Sequence, residues 1–227
     1  MDEQLVQEML LYYDERAEEY DDFYRGEGPA IRRYANQYQK NTTEICQIAA
    51  VFGRGHLIDI ACGTGFWVPH YAPNCERFTF VDQSESMLAQ CEHRVNILGL
   101  SEVSRFVQGN VFEVALEPGT YDCAMIGFLL SHFTSEQEAT FFERLKGILK
   151  PAARLMIVDS YWNERRQMGG RVKKGEQERT LNDGRTFKIY KKYFSQSDVE
   201  ELLANHQLVC ESLHVGEMFV AAIASTS

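Results

Sequence analysis

The sequence predicts an α/β fold: a mostly parallel sheet of seven strands with a C-terminal antiparallel hairpin, N-terminal helices and an inserted β-hairpin cap. Three observations predict it. From residue 56 onward, short apolar runs bounded by turn residues alternate with amphipathic stretches, the texture of strands and crossover helices. The first run, Leu57-Ile58-Asp59-Ile60-Ala61, empties into Cys62-Gly63-Thr64-Gly65, and the next ends at Asp82. The last two runs are separated only by a short turn at Gly216, and a turn that short joins antiparallel neighbours.

Before the alternation, Leu5, Met9, Tyr12, Tyr13, Ala17 and Tyr20 recur at helical spacing among acids, which predicts one amphipathic helix over 2–24, broken at 26–29. A second helix is expected over 29–51, with Pro29 suited to a first helical position and Gly53-Arg54-Gly55 ending it. Strands are expected at 56–61, 77–81, 104–108, 121–127 and 154–159, with helices at 67–71, 85–98 and 136–150 between them. Residues 161–194 break this rhythm. There, the segment 180–187 reads as a hairpin around Asn182-Asp183-Gly184, set before a helix at 197–205 and closing strands at 208–214 and 218–224.

The 227 residues fit one domain, with helices over 1–52 and a cap over 161–194. A content of 44% hydrophobic and 12% aromatic residues excludes global disorder. No apolar run approaches the roughly 20 residues needed to span a bilayer. Residues 1–11 hold three acids and no base, unlike a secretory or transit peptide, so a cytoplasmic location is expected. Six cysteines without a C-x-x-C pair point to reduced thiols and no metal site. A net charge of -10 argues against a nucleic-acid partner, since polyanion binding leaves a basic footprint.

Glycines in the turn after the first strand let a ligand approach the backbone with no Cβ in the way. Asp82, near the roughly 20-residue spacing expected of a ribose-binding acid, offers two acceptor oxygens to a sugar diol. The acid before the turn, Asp59, departs from a dinucleotide fingerprint and suits a cationic ligand. A tight turn with Asp82 capping the helix at Glu85 is the competing reading, but an acid, a second acid and the amide of Asn110 on three successive strand ends favour a cofactor site.

At these positions the chain resembles the class I S-adenosylmethionine-dependent methyltransferases, and the resemblance covers nearly its whole length. Their first motif, D-x-G-x-G-x-G, is matched at Asp59, Gly63 and Gly65, while Ala61 replaces the first glycine. The resemblance implies a Rossmann-like sheet and S-adenosylmethionine as cofactor. It implies that Asp59 neighbours the methionyl amino group, that Ala61 and Gly63 face the cofactor, and that Asp82 holds the ribose with Gln83 and Met87 beside it. Asn110, with Val111 and Phe112, stands where the family places its adenine contact, and Phe128 would lie under the methionine. Tyr13 and Tyr20, seven apart on one helix face, resemble the helix that closes over the cofactor. Trp67 is a further candidate, and for Trp67 and Tyr20 alike a core role is the alternative.

The segment 165–192 holds ten basic and three acidic residues, leaving 13 basic against 30 acidic elsewhere. A focused positive cap on an acidic body draws in an anion. Strand alternation puts Arg179, Leu181, Arg185, Phe187, Ile189 and Lys191 on one face, and the apolar members mark it as packed. Arg179 and Lys191 then point inward, where a protein carboxylate or a substrate must partner them. A solvated charge run with internal salt bridges is the alternative. The pattern from Arg179 to Lys191 also resembles phosphonate O-methyltransferases of phosphonate-antibiotic pathways, as do Phe66-Trp67, Leu130-Ser131-His132 and Asn163-Glu164-Arg165-Arg166. That likeness implies that Arg179 and Lys191 bind acceptor oxyanions and that His132 lines the acceptor pocket. The expected partner is a small anionic molecule, with the chain a monomer or homodimer. A neutral hydroxyl or amine acceptor would need a base, for which His132 is the candidate; a His132 bonded to backbone is the other reading.

Overall fold

The computed structural model describes residues 2–28 and 31–226. Helices α1 (Glu3–Glu15), α2 (Asp22–Arg25) and α3 (Ala35–Ala49) come first. Then β1 (Gly55–Ile60), α4 (Val68–Tyr71), β2 (Cys75–Asp82), α5 (Glu85–Ile97), β3 (Ser104–Gln108), β4 (Tyr121–Gly127), α6 (Ser135–Ile148) and β5 (Leu149–Ser160) follow in alternation. The insertion comprises α7 (Glu164–Met168), β6 (Lys174–Thr180) and β7 (Thr186–Lys192), and α8 (Gln196–Asn205), β8 (Leu208–Val215) and β9 (Phe219–Thr226) close the fold.

Seven strands lie in the order β3-β2-β1-β4-β5-β9-β8, parallel except for β9, which runs antiparallel to β5 and β8. The order reverses between β1 and β4, and a crevice opens beyond the carboxyl ends of the strands at such a point. Ile45 of α3 and Cys91 and Val95 of α5 pack on one face with Leu57, Phe78 and Phe80. Phe141 and Phe142 of α6 and Leu202 of α8 pack on the other with Ile58, Ile60 and Ile126. Both faces are covered, which is why the central strands read as unbroken apolar runs. Among the described residues, no helix is long and apolar enough to cross a membrane.

The structure corrects several expected boundaries. The helix expected over 2–24 ends at Glu15 and resumes only as the short α2. The reason is tertiary: Asp21, buried, accepts from the Thr64 hydroxyl at 2.5 Å and from the Arg94 guanidinium at 2.5 Å, and reaching them requires the chain to leave the helix. The second helix starts at Ala35 after a single tight turn, Arg32–Tyr34; Pro29 lies outside the described residues. α6 stops at Ile148 and passes directly into β5, whose first residue pairs with Tyr121 before a shift of register brings Arg154 opposite Cys123. The insertion also contains α7, capped by Asn163, which strand alternation could not reveal.

The cap hairpin is a separate two-stranded sheet, and a hairpin alone is marginal in water. Its apolar face supplies the stabilisation: Leu181, Phe187 and Ile189 are buried against Tyr12 of α1, with Met9 and Tyr13 at the edge. Polar contacts add to this, as Glu19 accepts from the Asn182 N–H at 2.9 Å and Arg185 pairs with Glu15 at 2.9 Å. Arg185 is therefore exposed and does not share the packed face, because the turn still includes it and β7 begins only at Thr186. We expect Phe187→Ala to cost about 3 kcal/mol. Hydrogen exchange should accelerate in α1 and the hairpin before it does in the seven-stranded sheet.

Candidate active site

The turn after β1 is built on left-handed backbone, with Ala61 at φ 55°, Gly63 at 54° and Gly65 at 69°. At Gly65 a Cβ would stand 2.8 Å from the Cys91 sulfur, so this glycine lets α5 pack against the turn. At Gly63 a Cβ would meet only the Tyr20 ring at 3.8 Å and the Met87 sulfur at 4.0 Å, so bare backbone faces an open space. Ala61 holds its conformation with a side chain in place, at some cost in strain. Asp82 ends β2 beside the turn and accepts from the Gly63 N–H at 2.8 Å and the Ser84 N–H at 3.0 Å. Burial raises its pKa above the usual carboxylate value against the pull of those N–H groups.

Beyond the strand ends lies a cleft of about 750 Å³. Of the residues singled out by sequence, Ala61, Gly63, Asp82, Gln83, Met87, Asn110, Phe112, Phe128 and His132 line it. Tyr13 and Tyr20 line it from above, with ring centroids 6.2 Å apart. They do not share a helix face as expected, because α1 ends between them and the turn folds Tyr20 back. Asn110 accepts from the Phe112 N–H at 3.0 Å, which leaves its carbonyl one lone pair.

Five candidates do not line the cleft. Val111 turns away and packs beside the apolar group under α6. Asp59 is buried beneath the turn, where the Tyr71 hydroxyl donates to it at 2.5 Å and burial pushes its pKa up to about 7. Trp67 is also buried, but its indole N–H has no partner among the described residues and lies 3.5 Å from where a Gly127 Cβ would stand. A buried, unanswered donor beside the cleft floor fits a carboxylate. With the acceptors of Asp82 and the bare backbone of Gly63, these residues fit S-adenosylmethionine.

Lys191 and Arg179, the other two, divide the open question of their partners. The Lys191 ammonium donates to Ser131 Oγ at 2.5 Å and Asp159 at 3.4 Å; burial lowers its pKa and Asp159 opposes the shift. Arg179 donates to Gln177 Oε1 at 3.0 Å, Tyr193 Oη at 3.1 Å and the Glu178 carbonyl at 3.0 Å. All three are neutral, and among the described residues no carboxylate pairs with it. Burial raises the Tyr193 pKa, but Arg179, Arg166, Lys191 and Arg171 together pull it below the usual value. His132 is bonded to backbone, with Nδ1 2.7 Å from the Tyr190 carbonyl and Nε2 2.7 Å from the Tyr13 hydroxyl. Burial, then Lys191 and Arg179, hold its pKa well below the ordinary histidine value.

Sequence reasoning gave no role to Asp14, Ser131 or Asp159, although Ser131 lies in the Leu130-Ser131-His132 run it singled out. Asp14 lines the cleft and accepts from Ser84 Oγ at 2.7 Å and the Ser86 N–H at 3.2 Å, a role that depends on α1 docking at α5 and leaves no local signal. Asp159 had a signal, an acid at a strand's carboxyl end facing an inward lysine.

Residues 57–152 match a family described as a methyltransferase domain. The chain is 30% identical over 121 residues to demethylmenaquinone methyltransferase of Bacillus cytotoxicus, a match covering 52% of this chain and 49% of that enzyme. The chain thus matches about half the length of that curated relative. Two solved structures are similar along nearly the full length. The DhpI-SAM-HEP complex has 26% identity and a TM-score of 0.73, covering 99% of each chain. The DhpI-SAH complex has 25% identity and a TM-score of 0.74, covering 99% of this chain and 98% of the other. Fold, cleft and comparisons together make this chain similar to the class I S-adenosylmethionine-dependent methyltransferases, on a Rossmann-like sheet. The likeness to DhpI reaches both the N-terminal helices and the cap.

Asp82→Asn should weaken S-adenosylhomocysteine binding about 10- to 100-fold by calorimetry, the range for loss of a charged hydrogen-bond acceptor. Asp59 gives a pH signature. Its native carboxyl holds a proton to about pH 7, against 3.8 for the ordinary group, so its contribution to stability is full below about pH 4 and is lost as pH rises through about 7. Chemical denaturation across that window should show this decline, and Asp59→Asn should flatten it.

Proposed function

We propose that this chain is an S-adenosylmethionine-dependent O-methyltransferase acting on a small anionic acceptor, a phosphonate or a carboxylate, held beneath the 161–194 cap. The observation that carries the acceptor class is Arg179, a half-buried guanidinium on the cap whose protein partners are all neutral. A cation so placed favours an anion from outside the chain. The surplus of positive charge on the cap and its likeness to phosphonate O-methyltransferases support the same reading.

The chemistry agrees. Methyl transfer from a sulfonium is an in-line displacement with an activated leaving group, so the protein's work is alignment and exclusion of water. A phosphonate or carboxylate is already ionised at neutral pH and needs no base. His132, held neutral with both ring nitrogens engaged, is poorly suited to be one. N-terminal helices, sheet and cap act here as one unit.

Arg179→Ala should lower kcat/KM for the anionic acceptor by about 10- to 100-fold, with S-adenosylhomocysteine affinity nearly intact. Release of S-adenosylhomocysteine, followed across a panel of small phosphonates, carboxylates and neutral alcohols, is the measurement. Equal loss of cofactor affinity in the variant, or turnover of the alcohols alone, would refute the proposal.

A further inference from the structure

The hydrogen bonds around His132 determine where two protons lie. The Tyr190 carbonyl can only accept, so the Nδ1 facing it at 2.7 Å carries hydrogen. On the neutral ring Nε2 is then a bare lone pair, and the Tyr13 hydroxyl, 2.7 Å away, must donate to it. The charged groups acting on the ring are Lys191 from β7 and Arg179 from β6, both cations, and α1 contributes only the Tyr13 phenol. The Tyr190 carbonyl alone favours an imidazolium, and burial with the two cations outweighs it, so the bond does not reverse. With its proton committed, the Tyr13 oxygen offers the cleft lone pairs and no donor.

Its place along the cleft gives that polarity a use. The Tyr20 ring stands over the bare backbone of Gly63, Tyr13 is the next ring at 6.2 Å, and His132 follows at 5.3 Å. Tyr13 therefore stands between the glycine turn and the cap. An oxygen that only accepts complements the electron-poor methyl of a sulfonium and gains nothing from a neutral thioether.

We propose that the Tyr13 oxygen contacts the sulfonium methyl of bound S-adenosylmethionine, and that His132 is the positioning residue that orients it by taking the phenol proton. This rests on the methyl donor and not on the acceptor, so an error about the phosphonate or carboxylate leaves it standing.

The test compares two ligands, S-adenosylmethionine and S-adenosylhomocysteine, by calorimetry on the full chain. Tyr13→Phe should lose about two- to fivefold in affinity for the sulfonium while affinity for the thioether stays the same. His132→Leu should give the same selective loss, and the double variant no more than either single one. His132→Gln should restore the wild-type ratio, because its amide can accept from Tyr13 and donate to the Tyr190 carbonyl. If His132→Leu fails to fold, Tyr13→Phe alone decides the matter. An equal loss for both ligands, or none for either, overturns the proposal.

Discussion

One carboxylate receiving two backbone N–H groups fixes the geometry of the cleft. Asp82 takes the Gly63 N–H from the turn after β1 and the Ser84 N–H at the head of α5, so the ends of two strands and the start of a helix are held to a single side chain. Ser84 in turn caps α5 by accepting from the Met87 N–H at 3.0 Å. Without that acceptor, left-handed backbone at the turn would leave amide groups unanswered in a partly buried place. The arrangement leaves the second lone pairs of the carboxylate free for a ligand, which is how a structural bond and a binding group occupy one residue.

Much of the sheet was legible because each strand is bounded by turn chemistry and filled from both faces. The strands beginning at Ser104 and Tyr121 fall where their apolar runs fall. The N-terminal helix was misread in length because periodicity registers helical faces and not the attachment of Asp21 to Thr64 and Arg94, which are far along the chain. Asp82, carried on the carboxyl end of a strand, could be located from spacing, and Asn110 from the family resemblance. Asp59 could be recognised as part of a motif, but its engagement with Tyr71 below the turn depends on how α4 packs, and spacing says nothing about that.

The basic cap shows the same limit for charge. Sequence counts cations and cannot say which ones are already neutralised. Arg185 pairs with Glu15, Lys173 with Asp198, Arg165 with Glu217 and Lys192 with Glu138, so a large part of the surplus serves to fasten the cap to the acidic body. Lys191 faces Asp159. Arg179, like Arg166, has only neutral hydrogen-bond partners, and only the folded arrangement shows this.

Helix α1 touches both ends of the cleft with consecutive residues, Asp14 at the head of α5 and Tyr13 at His132. Molecules bound at those two ends would be coupled to the extent that each shifts this shared helix. Whatever bias the first arrival places on the helix returns to the second in equal measure, irrespective of the order in which they come, because coupling free energy is reciprocal.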